Sequence, residues 1–204
     1  KKLKTPLIED EQFWNIIAIE DWVLFQSLNR IYIYNLKTET FRIINSETTI
    51  TKMYEVDESI YFQRINNGIF KIESGKDVLI TDAKELQDNV VVNIFKKEEA
   101  LFFETQDNGF FTYSDDTLKS WDTAINNELK TLSIYNSIEL NDGSLALGTI
   151  SNGILIITKE GEVAYRIGQS NGLSNNTVLN LFQDVEHNIW LGLDNGINCL
   201  NMDS

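Results

Sequence analysis

The sequence predicts an all-β chain, a β-propeller of about five four-stranded antiparallel blades, and three observations carry that prediction. A strand, a short polar loop ending in Asn-Gly and a second strand recur at near-constant spacing along the chain. The aromatic residues are mostly Phe (11) and Tyr (7), which suit pleated strands better than helices. The one proline, Pro6, leaves every later strand able to donate to a hydrogen-bonded ladder.

The first hairpin, residues 23–31, is irregular, with Arg30 standing where later copies have glycine. The next four run from Tyr61-Phe62-Gln63 to Asn67-Gly68-Ile69, from Phe102-Phe103 to Asn108-Gly109-Phe110, from Leu145-Ala146-Leu147-Gly148 to Asn152-Gly153-Ile154, and from Ile189-Trp190-Leu191-Gly192 to Asn195-Gly196-Ile197. Their glycines lie 41, 44 and 43 residues apart, and Arg30 precedes Gly68 by 38. Such turns need positive φ, which Gly and Asn tolerate.

Before each hairpin lies another apolar run, at 16–19, 53–56, 90–95, 134–140 and 178–182, joined to it by an acidic or polar turn such as Glu20-Asp21 or Asp57-Glu58. After the first four hairpins a further strand follows, at 41–44, 78–80, 118–121 and 163–167, and the last copy stops after its third strand. Four strands in about forty residues make one blade, because a lone meander cannot bury both faces whereas neighbouring meanders cover each other. The run Val90-Val91-Val92-Asn93-Ile94-Phe95 is apolar on both faces, as such sandwiching requires. One propeller segment thus spans 1–204, with repeats at approximately 11–45, 46–83, 84–126, 127–170 and 171–204.

Composition narrows the function. With 17 basic against 31 acidic residues, the net charge of −14 opposes a phosphate backbone, so no nucleic acid is bound by this segment. The single Cys199 cannot form an internal disulfide, and no Cys/His cluster exists to hold zinc; no metal or cofactor is expected. No apolar stretch approaches the roughly 20 residues of a membrane helix.

The last copy reads Asn171-Gly172-Leu173-Ser174-Asn175-Asn176-Thr177-Val178, then Gln183-Asp184, Ile189-Trp190-Leu191-Gly192 and Asn195-Gly196-Ile197. It resembles the two-component regulator propeller repeat, with its Gly-Leu-Pro/Ser opening, Gln-Asp turn, Trp-Ile-Gly-Thr strand and Asn-Gly-Leu hairpin. The resemblance covers nearly the whole chain with fidelity that falls toward the start: Leu147-Gly148-Thr149 keep the pattern, the earlier copies keep little beyond Asn-Gly, and Arg30 breaks that too. It implies the periplasmic sensor part of a membrane-anchored hybrid histidine kinase or helix-turn-helix transcription regulator, many of which respond to oligosaccharides. It also implies a fragment of a seven-bladed or larger propeller. A strand at residues 3–8 pairing with the last copy would close five blades into a ring; an open arc would favour a homodimer through exposed edges.

Catalytic constellations are scarce, and the chain is not read as an enzyme. His187 and the acidic pairs Asp57-Glu58, Glu98-Glu99 and Asp115-Asp116 fall at turns, and no serine-nucleophile motif or phosphate-cradling loop is present. The more informative positions are those where a copy departs from its own pattern. The small residue of Gly148 and Gly192 becomes Gln26, Gln63 and Glu104 in earlier copies, and the next position, Thr105 or Thr149, becomes Arg64. Together with Gln106 these side chains would offer an oligosaccharide or other small polar ligand its hydrogen bonds at the loop end, with Trp14, Trp22 or Trp121 as a stacking face. The alternative is that they satisfy loop backbone. Trp190 reads as packing between blades. Two functions remain: a sensor that binds such a ligand, and a scaffold that meets only protein partners.

Overall fold

The computed structural model describes Ile8 and residues 10–202. Five antiparallel sheets follow one another in chain order. The first contains β1 (Asn15–Ile19), β2 (Trp22–Gln26), β3 (Arg30–Asn35) and β4 (Thr40–Asn45), and the second β5 (Ile50–Val56), β6 (Ser59–Arg64), β7 (Gly68–Glu73) and β8 (Lys76–Thr81). The third contains β9 (Val91–Lys97), β10 (Ala100–Thr105), β11 (Phe110–Ser114) and β12 (Thr117–Ser120), the fourth β13 (Ile134–Glu139), β14 (Leu145–Thr149), β15 (Ile154–Ile157) and β16 (Val163–Ile167). The fifth has three strands, β17 (Val178–Gln183), β18 (Ile189–Leu193) and β19 (Gly196–Leu200). Each is a simple up-and-down meander, as the four-strand pattern and the shortened last copy predict. The segment at residues 3–7 lies outside the described residues.

Short helical turns, unsignalled by the repeat, sit in the links between sheets: α1 (Lys84–Gln87), α2 (Asn126–Leu129) and a 3₁₀ turn at Gln169–Asn171. All three fall at the end of the sheets that also carries the Asn-Gly hairpins. The repeat glycines Gly68, Gly109, Gly153 and Gly196 have φ of 107, 77, 73 and 155°. At the opposite end the acidic turns bend through positive φ without glycine: Asp57 and Glu58 have φ of 45 and 56°, Asp115 and Asp116 48 and 55°. These carboxylate pairs are hairpin chemistry. Glu58→Gly removes a left-handed penalty of about 1–2 kcal/mol for a non-glycine residue while adding about 0.5–1 kcal/mol of unfolded-chain entropy. A gain of roughly 0.5–1 kcal/mol in urea unfolding is the expected result.

The chain divides into two compact units, residues 1–101 and 102–204. In the first, Leu24, Ile31, Ile33 and Ile44 of the first sheet meet Ile50, Met53, Ile60 and Phe62 of the second, all nearly solvent-free. In the second, Ala146, Ile154 and Ile156 of the fourth sheet meet Val178, Leu181, Ile189 and Leu191 of the fifth. Both cores are face-to-face sheet contacts in the same register, so one packing solution serves two stretches of sequence that share little identity.

Candidate functional site

The predicted ligand residues do not line an open mouth; they cross from one sheet to the next. Gln26, Gln63 and Glu104 are each 0 % exposed, and Arg64 is 9 % exposed. Gln26 Nε2 donates to the carbonyls of Ile50 and Thr51 at 3.1 and 3.4 Å. Gln63 Nε2 donates to Leu86 O and Asn89 O, both at 2.7 Å, and its Oε1 accepts from Val91 N at 2.9 Å and Thr51 Oγ1 at 3.2 Å. Glu104 accepts from the Ser137 hydroxyl on β13. At the equivalent Gly148 no side chain crosses, because a Cβ there would lie 2.7 Å from Val178 Cγ1. The position is a sheet-to-sheet junction, polar in the early copies and close-packed in the fourth.

Arg64 is held by Asp77 Oδ2 at 2.7 Å and Asn45 O at 3.0 Å, with its guanidinium over the rings of Phe70 and Phe62. Gln106 is half-buried in its hairpin, where its carbonyl accepts from Ile134 N. Trp121 packs edge-on to Phe102 and parallel to Phe110. Trp190 is not packed between sheets as its place in the repeat suggests: it is 42 % exposed, with its indole N–H on Asp184 Oδ2 at 2.8 Å.

What the structure brings together instead is the irregular first hairpin and the segment preceding β1. The third and fourth hairpins close with the Thr105 or Thr149 hydroxyl donating to the carbonyl four residues on, at Gly109 or Gly153. The first is one residue shorter, Ser27 N donating to Arg30 O at 2.9 Å, a length it shares with the Leu193–Gly196 turn of the fifth, and Arg30 adopts no left-handed φ. Freed of that constraint, Arg30 reaches Glu11: Nη1 to Oε1 is 3.1 Å, and the same oxygen accepts from Ser27 Oγ at 2.5 Å. The other carboxylate oxygen accepts from the Tyr32 hydroxyl. The Phe13 ring stands against Phe25 and Tyr32 at centroid distances of 5.8 and 5.7 Å.

Around this network lies a cavity of about 340 Å³, within the range of small-ligand sites, lined by Gln12, Trp14, Ser27, Leu28, Asn29 and Arg30 among others. Trp14 is 64 % exposed. An open indole face beside a fixed guanidinium and the side-chain amides of Gln12 and Asn29 can stack an apolar ring face and hydrogen-bond its edge. Two clefts at the opposite end of the sheets, of about 400 Å³ beside Trp22 and about 340 Å³ beside His187, are gaps where paired sheets splay apart. The sequence marked this site by Arg30 in place of glycine and by Trp14 as a candidate stacking face; Glu11 carried no signal.

Burial alone would raise the Glu11 carboxyl, but hydrogen bonds from Ser27, Tyr32 and Arg30 outweigh it and hold it below the usual carboxylate range. A folded-state value below the unfolded one means the network stabilises at neutral pH, and that contribution is lost as pH falls through the folded value. The stability difference between the wild type and Glu11→Gln should thus be largest near neutrality and vanish in acid. A difference independent of pH in urea titrations would show that Glu11 is not ionised in this network.

Among the described residues no group of three or more His, Cys, Asp or Glu is placed to hold a metal ion, and no helix is long and apolar enough to cross a membrane. No protein-family model matches the chain, and no curated protein sequence does. Solved structures do. The extracellular domain assigned to the one component system BT4673 of B. thetaiotaomicron is 23% identical, with a TM-score of 0.74 over 100% of this chain and 29% of its own. That assigned to the hybrid two component system BT3049 of the same organism is 21% identical, TM-score 0.67, over 92% of this chain and 26% of its own. The WD40 β-propeller domain of Doa1 is 12% identical, TM-score 0.66, over 96% and 67%. The chain spans under a third of the length of the first two. At these identities the likeness is one of fold, and the five successive meanders are β-propeller blades.

Proposed function

We propose that this chain is an extracytoplasmic sensor segment of a signal-transduction regulator, and that the Trp14–Arg30 cavity takes a small polar ligand of the oligosaccharide class. The carrying observation is that cavity's build: an exposed indole next to a guanidinium immobilised by a largely buried carboxylate, at the loop end of the blades. Glu11 cancels the charge of Arg30, so the site favours a neutral ligand with hydroxyls over an anion. The extracellular domains of one-component and two-component systems with this fold support the setting.

Neutral oligosaccharides are the probes. A ligand at a hundred times its dissociation constant adds about 2.7 kcal/mol, which for a chain of this size is a rise of roughly 5–10 °C in the melting temperature. Trp14→Ala should abolish the rise while leaving the melting temperature of the free protein within about 1 °C, since an exposed side chain contributes little to the fold. No rise with any member of a broad panel would remove the ligand reading and leave the second one. That alternative, a propeller that only assembles with protein partners, draws on the exposed Phe182, Trp190 and Ile197 of the fifth sheet.

A further inference from the structure

Of the four arginines, three are matched to carboxylates: Arg30 to Glu11, Arg64 to Asp77 and Arg166 to Glu128. Arg42, on β4, is not. Among the described residues its one polar partner is the Ser74 carbonyl, to which Nη1 donates across from the first sheet to the second. Its stem lies over the β7–β8 turn at Gly75, where an added Cβ would stand 2.7 Å from Cδ and 2.5 Å from Nη1. The guanidinium is thereby fixed at Nη1, while Nε and Nη2, the edge that can grip a carboxylate through two parallel hydrogen bonds, are left open. In a chain with 31 acidic residues, an arginine so placed and without one is the exception.

Arg42 stands at the rim of the cleft of about 400 Å³ between the first and second sheets. The walls are Ile19, Trp22, Leu24, Ile33, Ile60 and Ile72, of which Leu24, Ile33 and Ile60 are at most 5 % exposed. Glu58, in the β5–β6 turn, lines the cleft too. Of the two acids in that turn it is Asp57 that holds Lys96, so among the described residues the Glu58 carboxylate has no cation. An apolar recess thus carries one exposed cation and one exposed anion, neither paired within the protein.

The matching cleft between the fourth and fifth sheets is lined differently. Tyr165 pairs with Ile156 there as Arg42 pairs with Ile33, so the cation is missing. Its acid, Asp142, accepts from the Ser144 amide at 2.9 Å, and Asn141 bridges the sheets to Gln183 Oε1 at 2.9 Å and His187 Nδ1 at 3.0 Å. Trp22 likewise takes a place that Ser59 holds in the second sheet, pairing with Ile19 as Ser59 does with Val56. The gap is common to both pairs of sheets; the tryptophan and the two open charges belong to the first pair.

We infer that this cleft binds an apolar α-amino acid as its zwitterion, with the carboxylate on Arg42, the ammonium on Glu58 and the side chain between the two sheets. A plain carboxylic acid would satisfy Arg42 but set its charge against Glu58. A plain amine would satisfy Glu58 and bring a second cation beside Arg42. The zwitterion matches both, and the apolar walls select its side chain. This site is separate from the Trp14–Arg30 cavity at the other end of the blades.

L-Leucine is the probe, and 4-methylpentanoate and 3-methylbutylamine, which lack its ammonium and its carboxylate respectively, are the controls. In titration calorimetry leucine should bind, and each control should bind about tenfold more weakly. Arg42→Gln should weaken leucine about tenfold and Glu58→Gln about three- to tenfold, because both groups sit at a solvent-exposed rim. Trp14→Ala should leave leucine binding unchanged. Both rim variants should melt within about 2 °C of the wild type. If one fails to fold, the two controls test the same charges on the wild-type chain. Absence of leucine binding, a control that binds as tightly as leucine, or leucine affinity that survives both rim substitutions in folded protein would overturn the inference.

Discussion

Replacing Gln63 with leucine should cost about 3–5 kcal/mol, far more than the same change at Gln26. Gln63 is solvent-free and makes four hydrogen bonds: two to the carbonyls of Leu86 and Asn89, two from Val91 N and Thr51 Oγ1. Leucine fills the volume but leaves two carbonyls and an amide without these partners, each worth about 1–3 kcal/mol when desolvated, partly offset by the better transfer of an apolar side chain. Gln26 donates to two carbonyls at longer range, and among the described residues its Oε1 has no partner. Losing it orphans less, so Gln26→Leu should cost about 1–2 kcal/mol. Urea unfolding at equal m-value measures both. If the two variants lost equal stability, the junction would be held by packing alone, and the polar side chains would be incidental to it.

The origin of these junctions shows what the sequence could and could not tell. The meander was legible because it rests on local chemistry repeated five times: apolar alternation and a turn that needs glycine at a fixed distance. The departures at Gln26, Gln63 and Glu104 were legible as departures, since a repeat defines its own exceptions. Their use was not. Whether a polar side chain at a strand's end faces a ligand or the next strand depends on how far apart two sheets stand there, and Gly148, whose added Cβ would meet Val178, shows that distance to be short. Trp190 was misread for the converse reason. It belongs to the repeat, and packing between blades follows only where a blade is present to pack against; here its row faces outward. Glu11 precedes β1 in a stretch with no repeat to be compared with, so nothing marked it until Arg30, Ser27 and Tyr32 were seen to converge on its carboxylate.

The same reasoning about turns yields the second large effect, at Gly153. Its φ is +73°, and a Cβ added there would stand 2.1 Å from the Ile167 carbonyl oxygen and 2.9 Å from Gly168 Cα. Both obstacles are backbone, so no rotamer change relieves them. Gly153→Ala therefore combines a left-handed penalty of about 1–2 kcal/mol with displacement of the link that leads into the fifth sheet, for a total of roughly 3–5 kcal/mol. The Gly153 amide, bonded to Asn176 O at 2.9 Å, would shift with it. Gly196 holds the matching place in the last hairpin with nothing within 4 Å of an added Cβ, so Gly196→Ala should cost only the conformational part, about 1–2 kcal/mol. The ranking separates two explanations of the repeat's glycine. If turn geometry alone demanded it, the two variants would be equal; if the close passage of the following link demands it, Gly153 is the costlier by about 2 kcal/mol.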